Sequence, residues 1–291
     1  MSDACYRPFS RRSRHVGLMG PAHAASGAGI SLLALGLLHA HPEYLSSFAE
    51  LSLPIVALMA GIVLACSGAV MVPDLDNTKA RVISALGVTG TVMSKVFRST
   101  SVMVQSVVRT KYDDATPNPH RGFWHSTVGA ITAGAIVFGL CQIPYAVEVL
   151  GHHVSVGSAL AFVIFVMLVN IANASLPNSP QSAVLKHAAK FEVLSLLVSI
   201  VMAALVFAFI PAGDYWWLAV SVTFGMFIHI LGDMLTTQGV PVFFPIVSLW
   251  RGRMWWKTRL TSIEASSKAL NNTVTVLSTA AGVAGVVLLI L

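Results

Sequence analysis

Apolar residues in this chain come in long unbroken runs, separated by short polar segments. Six runs are each close to 20 residues long: Leu53–Val72, Thr127–Val147, Val154–Leu176, Val193–Pro211, Trp216–Gly232 and Thr273–Leu291. A shorter run of small residues, Ala24–Ala40, makes a seventh. About 20 apolar residues in a helix cross the hydrocarbon core of a bilayer. The pattern therefore predicts an all-α, polytopic membrane bundle of about seven transmembrane helices. No internal repeat or low-complexity segment divides it. A basic tail over residues 1–20 leads into one membrane-embedded helical domain over 21–291.

Between the second and third runs lies the longest polar stretch, Asp74–His125. Within it Ile83, Leu86, Gly90, Met93 and Phe97 recur at helical spacing, with Lys79, Arg81, Lys95 and Arg98 close by. Such a helix either lies in the membrane interface or packs against the bundle. Asp113-Asp114-Ala-Thr-Pro-Asn-Pro then ends it. After the sixth run, Gly239 and Pro241 stop the helix, and Phe243, Phe244, Trp250, Trp255 and Trp256 alternate with Arg251, Arg253 and Lys257. That mixture is expected at headgroup level.

Composition agrees with the pattern. Only 10% of residues are charged and 55% are hydrophobic, against about 25% charged in a soluble domain. The net charge of +6 would suit nucleic acid, but its placement excludes that reading. With the N-terminus in the cytoplasm, all 18 Lys and Arg residues fall on the cytoplasmic side, in the tail and three alternate loops. Glu43, Glu50, Glu148 and Asp214 are left outside. This is the positive-inside distribution, and it places the chain in the cell inner membrane with basic loops facing anionic lipid. The Arg-rich tail resembles a signal sequence, but no small-x-small cleavage site follows, so the first span is expected to be retained. Cys5, Cys66 and Cys141 form no disulfide framework and read as packing residues.

Against this background a few polar residues stand out. His229 and Asp233 sit one helical turn apart near the end of an apolar run, so both project from one face. A carboxylate buried there unpaired costs about 2.5–3.5 kcal/mol even on the lenient insertion scale. His23 begins the first span, Asp74 and Asp76 follow Pro73 at the end of the second, and His120 and His125 bracket Arg121 before the third. The predicted topology brings all seven imidazoles and carboxylates to one depth on one side. His39, His152 and His153 fall on the other. Mixed imidazole and carboxylate donors suit Zn²⁺, Mn²⁺ or Fe²⁺. Seven donors exceed the four or so that one zinc takes, so the site is expected to hold one or two ions. His23, Asp76, His120, His125, His229 and Asp233 are the candidate ligands. Asp74 is the candidate general base, and Arg121 the candidate fork for a phosphoryl or carboxyl oxygen. Metal chemistry of this kind points to hydrolysis.

Pro73-Asp74-Leu-Asp76, His120-Arg121-Gly-Phe-Trp-His125-Ser126 and His229-Ile-Leu-Gly-Asp233-Met-Leu-Thr236 with Gly239-Val-Pro241 together resemble the YdjM family. The likeness runs from about His23 to about Trp250. The resemblance implies an inner-membrane, metal-dependent hydrolase with a link to LexA regulation. It also implies that His23, Asp74, Asp76, His120, His125, His229 and Asp233 occupy the family's polar positions. Asn77 stands where the family often has His, and Trp124 where it tends to have Thr.

The expected reaction is hydrolysis of an ester or phosphoester presented at the cytoplasmic membrane face, with a lipid or lipid-linked phosphate as substrate. The competing class is a transporter or ion pathway using the same residues. That class requires polar residues spread through the bilayer, and Asn170 and Asn173 are the one comparable mid-depth pair.

Overall fold

The computed structural model describes residues 19–41, 43, 52–78, 80, 82–83, 86–108, 120–149, 152–175, 188–211, 213–236, 239–246, 260 and 267–291. The basic tail, Lys79, Arg81, Arg109, Lys111, Lys186 and the Trp- and Arg-rich segment 247–259 lie outside the described residues, and with them most of the charge on which the predicted orientation rests.

Eight helices are described: α1 (Met19–Ala40), α2 (Leu53–Ala69), α3 (Gly87–Val108), α4 (Thr127–Cys141), α5 (Val156–Ser175), α6 (Ala188–Phe207), α7 (Trp216–Met234) and α8 (Lys268–Ile290). The bundle is all-α apart from a short antiparallel hairpin. Five segments are long and apolar enough to cross a membrane: Gly20–Ala40, Leu53–Asp76, Val156–Ser175, Trp216–Met234 and Lys268–Ile290. Thr127–Cys141 and Val193–Phe207 are shorter apolar helices. Each of the pattern's seven runs thus contains a helix, while five meet the length for spanning.

The third run is shorter than its hydropathy predicts. Helix α4 stops at Cys141, just before Ile143-Pro144, because a proline cannot donate to the helix and crowds the preceding turn. The chain then forms strands Ala146–Val149 and His152–Ser155, paired so that Val147 faces Val154 across the hairpin. The apolar β-branched residues that lengthened the run belong to this hairpin. At the start of the chain the correction is opposite. Helix α1 begins at Met19 rather than Ala24, with Pro21 in its first turn, a position that needs no N–H partner.

Helix α7 lies at the centre of the bundle, against α1, α2 and α4. Its buried residues Leu218, Ser221, Val222, Gly225, Met226, His229 and Asp233 follow one helical stripe, so the face that packs also carries the ligand-type residues. Gly225 allows the close approach to α2: a Cβ there would lie 2.7 Å from the Ala69 Cβ and 2.9 Å from the Cys66 carbonyl oxygen. That contact sets the end of α2, and the Pro73–Asp76 3-10 turn beyond it, beside the end of α7.

Helix α3 packs its inner side onto the Pro73–Asp76 turn and onto a second 3-10 turn, Phe123–His125. Met93 and Phe97 join the core there. Of the two placements open to this segment, the side bearing Gly90, Met93 and Phe97 packs against the bundle.

Candidate metal centre

Four separate pieces of chain converge at one end of the bundle. His23 comes from the first turns of α1 and His229 and Asp233 from the last turns of α7. Asp74 and Asp76 come from the turn that Pro73 imposes after α2. His120 and His125 come from the loop entering α4, where Ser126 caps the helix by accepting from the Gly129 N–H at 3.1 Å. Arg121 takes a φ of 56°, uncommon for a side chain of this size. The Arg121 side chain is buried, and the rings of His120 and His125 meet edge-on with centroids 5.5 Å apart.

The four innermost donors stand at nearly equal spacing. His125 Nε2 lies 3.8 Å from Asp74 Oδ1 and 3.7 Å from Asp233 Oδ2. His229 Nε2 lies 3.9 Å from Asp74 Oδ1 and 3.5 Å from Asp233 Oδ2. These separations are too long for hydrogen bonds. A tetrahedral ion with bonds of about 2.0–2.1 Å needs donor–donor edges of about 3.3–3.4 Å. His125 Nε2, His229 Nε2 and Asp233 Oδ2 are all buried without a hydrogen-bond partner. Buried polar atoms are nearly always paired. Three orphaned donor atoms around one point fit a cation.

The remaining members surround this core. Asp76 is buried, with Oδ1 2.7 Å from His120 Nδ1 and Oδ2 3.2 Å from His125 Nδ1, the latter an ion-pair contact rather than an aligned hydrogen bond. A carboxylate behind a ring Nδ1 fixes the tautomer that offers Nε2 to a metal. His23 stacks on His229, ring centroids 4.4 Å apart, and its Nε2 lies 3.9 Å from Asp233 Oδ1. Gly232 makes room for it: a Cβ there would stand 2.6 Å from His23 Cε1. Two compact donor groups, His23–His229–Asp233 and Asp74–His120–His125, meet the spacing for holding an ion. All seven residues singled out in the sequence therefore meet in one cluster.

Arg121 is buried in the same cluster, where its Nη2 donates to Asp233 Oδ1 at 3.1 Å and its Nη1 to Thr236 Oγ1 at 2.9 Å. Its fork is engaged by the end of α7. Thr236 went unnoticed in the sequence reading as an Arg partner, although the motif that contains it was legible. Burial alone would make the imidazolium of His125 unfavourable, yet the carboxylates of Asp76, Asp74 and Asp233 push its pKa up to about 10. Three carboxylates against the Arg121 guanidinium and a protonated His125 still leave negative charge in excess in a buried site, which a divalent cation displacing the His125 proton would offset. The Asp74 side chain, 22% exposed, and His120, 32% exposed, form the open side.

Fold and site together define a polytopic membrane protein with a buried His/Asp cluster at one end of its bundle. Over residues 193–291 the chain matches the family model described as YdjM inner membrane protein. That segment contains α7, with His229 and Asp233, and α8, and it is the family that the sequence motifs resemble. No curated protein and no solved structure matches the chain.

Proposed function

We propose that the protein is a metal-dependent hydrolase that acts on an ester or phosphoester presented by the membrane. The observation that carries this reading is the convergence of three orphaned, buried donor atoms with Asp74 Oδ1. In this reading Asp74, His125, His229 and Asp233 hold a divalent transition ion such as Zn²⁺, Mn²⁺ or Fe²⁺, and His23 and His120 extend the donor set toward a second. When bound, such an ion supplies Lewis-acid polarisation and acidifies water.

The chain's own residues divide the remaining work. Asp76 orients His125 and His120 through their Nδ1 atoms. Arg121 neutralises Asp233 and fixes the end of α7. Asp74 is assigned here as a ligand rather than a base, and Arg121 as a partner of Asp233 rather than of the substrate. His120, anchored by Asp76 and partly open, is the donor on the side where a substrate would meet the site. Among the described residues the ionisable groups of the spans gather at this end, His39 at the far end of α1 apart, which favours a reaction centre over a pathway through the bilayer.

Elemental analysis of the purified protein tests the metal, and hydrolysis of phosphoester and ester panels in detergent tests the reaction. The expected result is stoichiometric metal, activity lost on chelation and restored by Zn²⁺ or Mn²⁺, with no membrane gradient required. Metal-loaded protein that is silent on these panels but drives uptake in proteoliposomes through His229 and Asp233 would overturn the hydrolase.

A further inference from the structure

Helix α3 packs Met93, Phe97 and Val104 against the core yet leaves further apolar residues on its outer side. Val88, Val92, Val96, Met103 and Val107 form an exposed stripe along its outer side. Ser94, Arg98, Ser101 and Gln105 run along the other side at i, i+4, i+7 and i+11. Ser94, Ser101 and Gln105 are buried, and the hydroxyls of Ser94 and Ser101 have no hydrogen-bond partner. A helix at a protein–water surface turns its apolar residues inward. Beside five membrane-crossing segments, the environment that suits this outer face is lipid.

The polar side leads to the metal centre. Arg98 Nη1 donates to the Asp76 carbonyl oxygen at 3.3 Å, and Trp124 Nε1 donates to the Phe97 carbonyl oxygen at 3.0 Å. These bonds tie α3 to the turns that carry Asp74, Asp76 and His125. Arg121 is committed to Asp233 and Thr236. Arg98 is half-buried and bonded to the turn that carries Asp74 and Asp76, which makes it the guanidinium placed to meet an incoming anion. Two unpaired hydroxyls share its side of the helix.

We propose that the valine face of α3 lies against the lipid, and that Arg98 binds the anionic phosphate headgroup of an amphiphile at the open side of the metal centre. The substrate class is thus a phosphate-bearing lipid. Its hydrolysis rests on the reading given above, whereas its binding does not. A guanidinium recognises phosphate through a planar pair of N–H donors. The phosphate could reach Arg98 on a lipid or free in solution, and the valine face argues for the lipid.

The test is equilibrium binding of fluorescent phosphatidic acid and phosphatidylcholine to the full chain in detergent, with inorganic phosphate as competitor and no turnover needed. Phosphatidic acid is expected to bind at least about tenfold more tightly than phosphatidylcholine, the scale of a charge-assisted contact. Arg98→Gln should remove that preference, Arg98→Lys should retain part of it, and both should keep wild-type metal content. A nitroxide at Val92→Cys should be quenched more by oxygen than by a water-soluble nickel chelate. Unchanged lipid preference in both Arg98 variants would overturn the headgroup assignment. Displacement by inorganic phosphate at the lipid's own affinity would overturn the lipid source, and stronger quenching by nickel would overturn the buried valine face. A protein that hydrolyses its substrate with Arg98 silent refutes this proposal alone, whereas one that binds lipid through Arg98 and hydrolyses nothing refutes the hydrolase alone.

Discussion

Between α5 and α6, Ser195 donates to Asn170 Oδ1 at 2.7 Å, Asn173 donates to Ser199 Oγ at 3.3 Å, and Ser199 donates to the Ser195 carbonyl oxygen at 2.8 Å. At the end of α7 the opposite holds, and His125 Nε2, His229 Nε2 and Asp233 Oδ2 are buried without such partners. Both groups are polar, both lie among apolar helices, and both look costly in the sequence. The first satisfies itself and joins two helices. The second leaves buried donor atoms that a bound cation could satisfy. Whether a buried polar group binds or merely braces depends on its unpaired atoms.

Four experiments break or sharpen this contrast. The largest effect is expected from His229→Ala and Asp233→Ala, each of which should abolish stoichiometric metal binding by elemental analysis. If both retain wild-type metal, the end of α7 is as self-sufficient as the α5–α6 contact and the contrast collapses. Asp76→Asn leaves every proposed ligand in place but weakens the support behind His125 and His120. Its metal affinity should fall by about 10–100-fold in a chelator competition, the range for such supporting carboxylates. The third test is pH. With its pKa raised to about 10 when metal-free, His125 carries a proton at neutral pH that an ion must displace. Apparent affinity should therefore rise with pH, by about tenfold per unit for one displaced proton, and titrations in buffers of different ionisation enthalpy should register its release. A flat profile between pH 6 and pH 8, values chosen to lie below about 10, would remove His125 from the ligand set. The smallest effect belongs to Ser195→Ala, which should cost about 0.6–1.7 kcal/mol of stability while metal content stays at the wild-type level. Loss of metal there would couple the two clusters.

The helical bundle was legible because hydrocarbon tolerates few polar residues and the runs mark themselves. The site residues were legible for the same reason: His229, Asp233 and the residues after Pro73 are out of place in apolar surroundings. What the pattern concealed was orientation. The direction of the Arg121 side chain depends on a φ of 56°, which no spacing rule announces. Asp74 and Asp76 are two residues apart, and only the tight turn decides that Asp74 reaches His229 while Asp76 backs His125. In α3 the inward set of Gly90, Met93 and Phe97 was visible at helical spacing, but the exposure of Val88, Val92 and Val96 depends on packing that the spacing does not give. The hairpin after Cys141 merged into an apolar run because β-branched residues suit a strand and a membrane helix equally.

His23 has a dependence that the other ligand-type residues lack. Its helix, α1, lies along α8, where Cβ atoms on Gly29 and Gly36 would overlap the backbone at Ser278 and Gly285. Helix α8 contributes none of the cluster's donors, yet it is the long neighbour that α1 rests on. During synthesis the chain has all seven donors once α7 has emerged, but α1 gains this brace only when residues 268–290 follow it into the membrane. The centre's last structural support is thus made after its last donor. A ribosome stalled between α7 and α8 would hold a chain with every ligand-type residue present and α1 resting on α2 and α7 without α8.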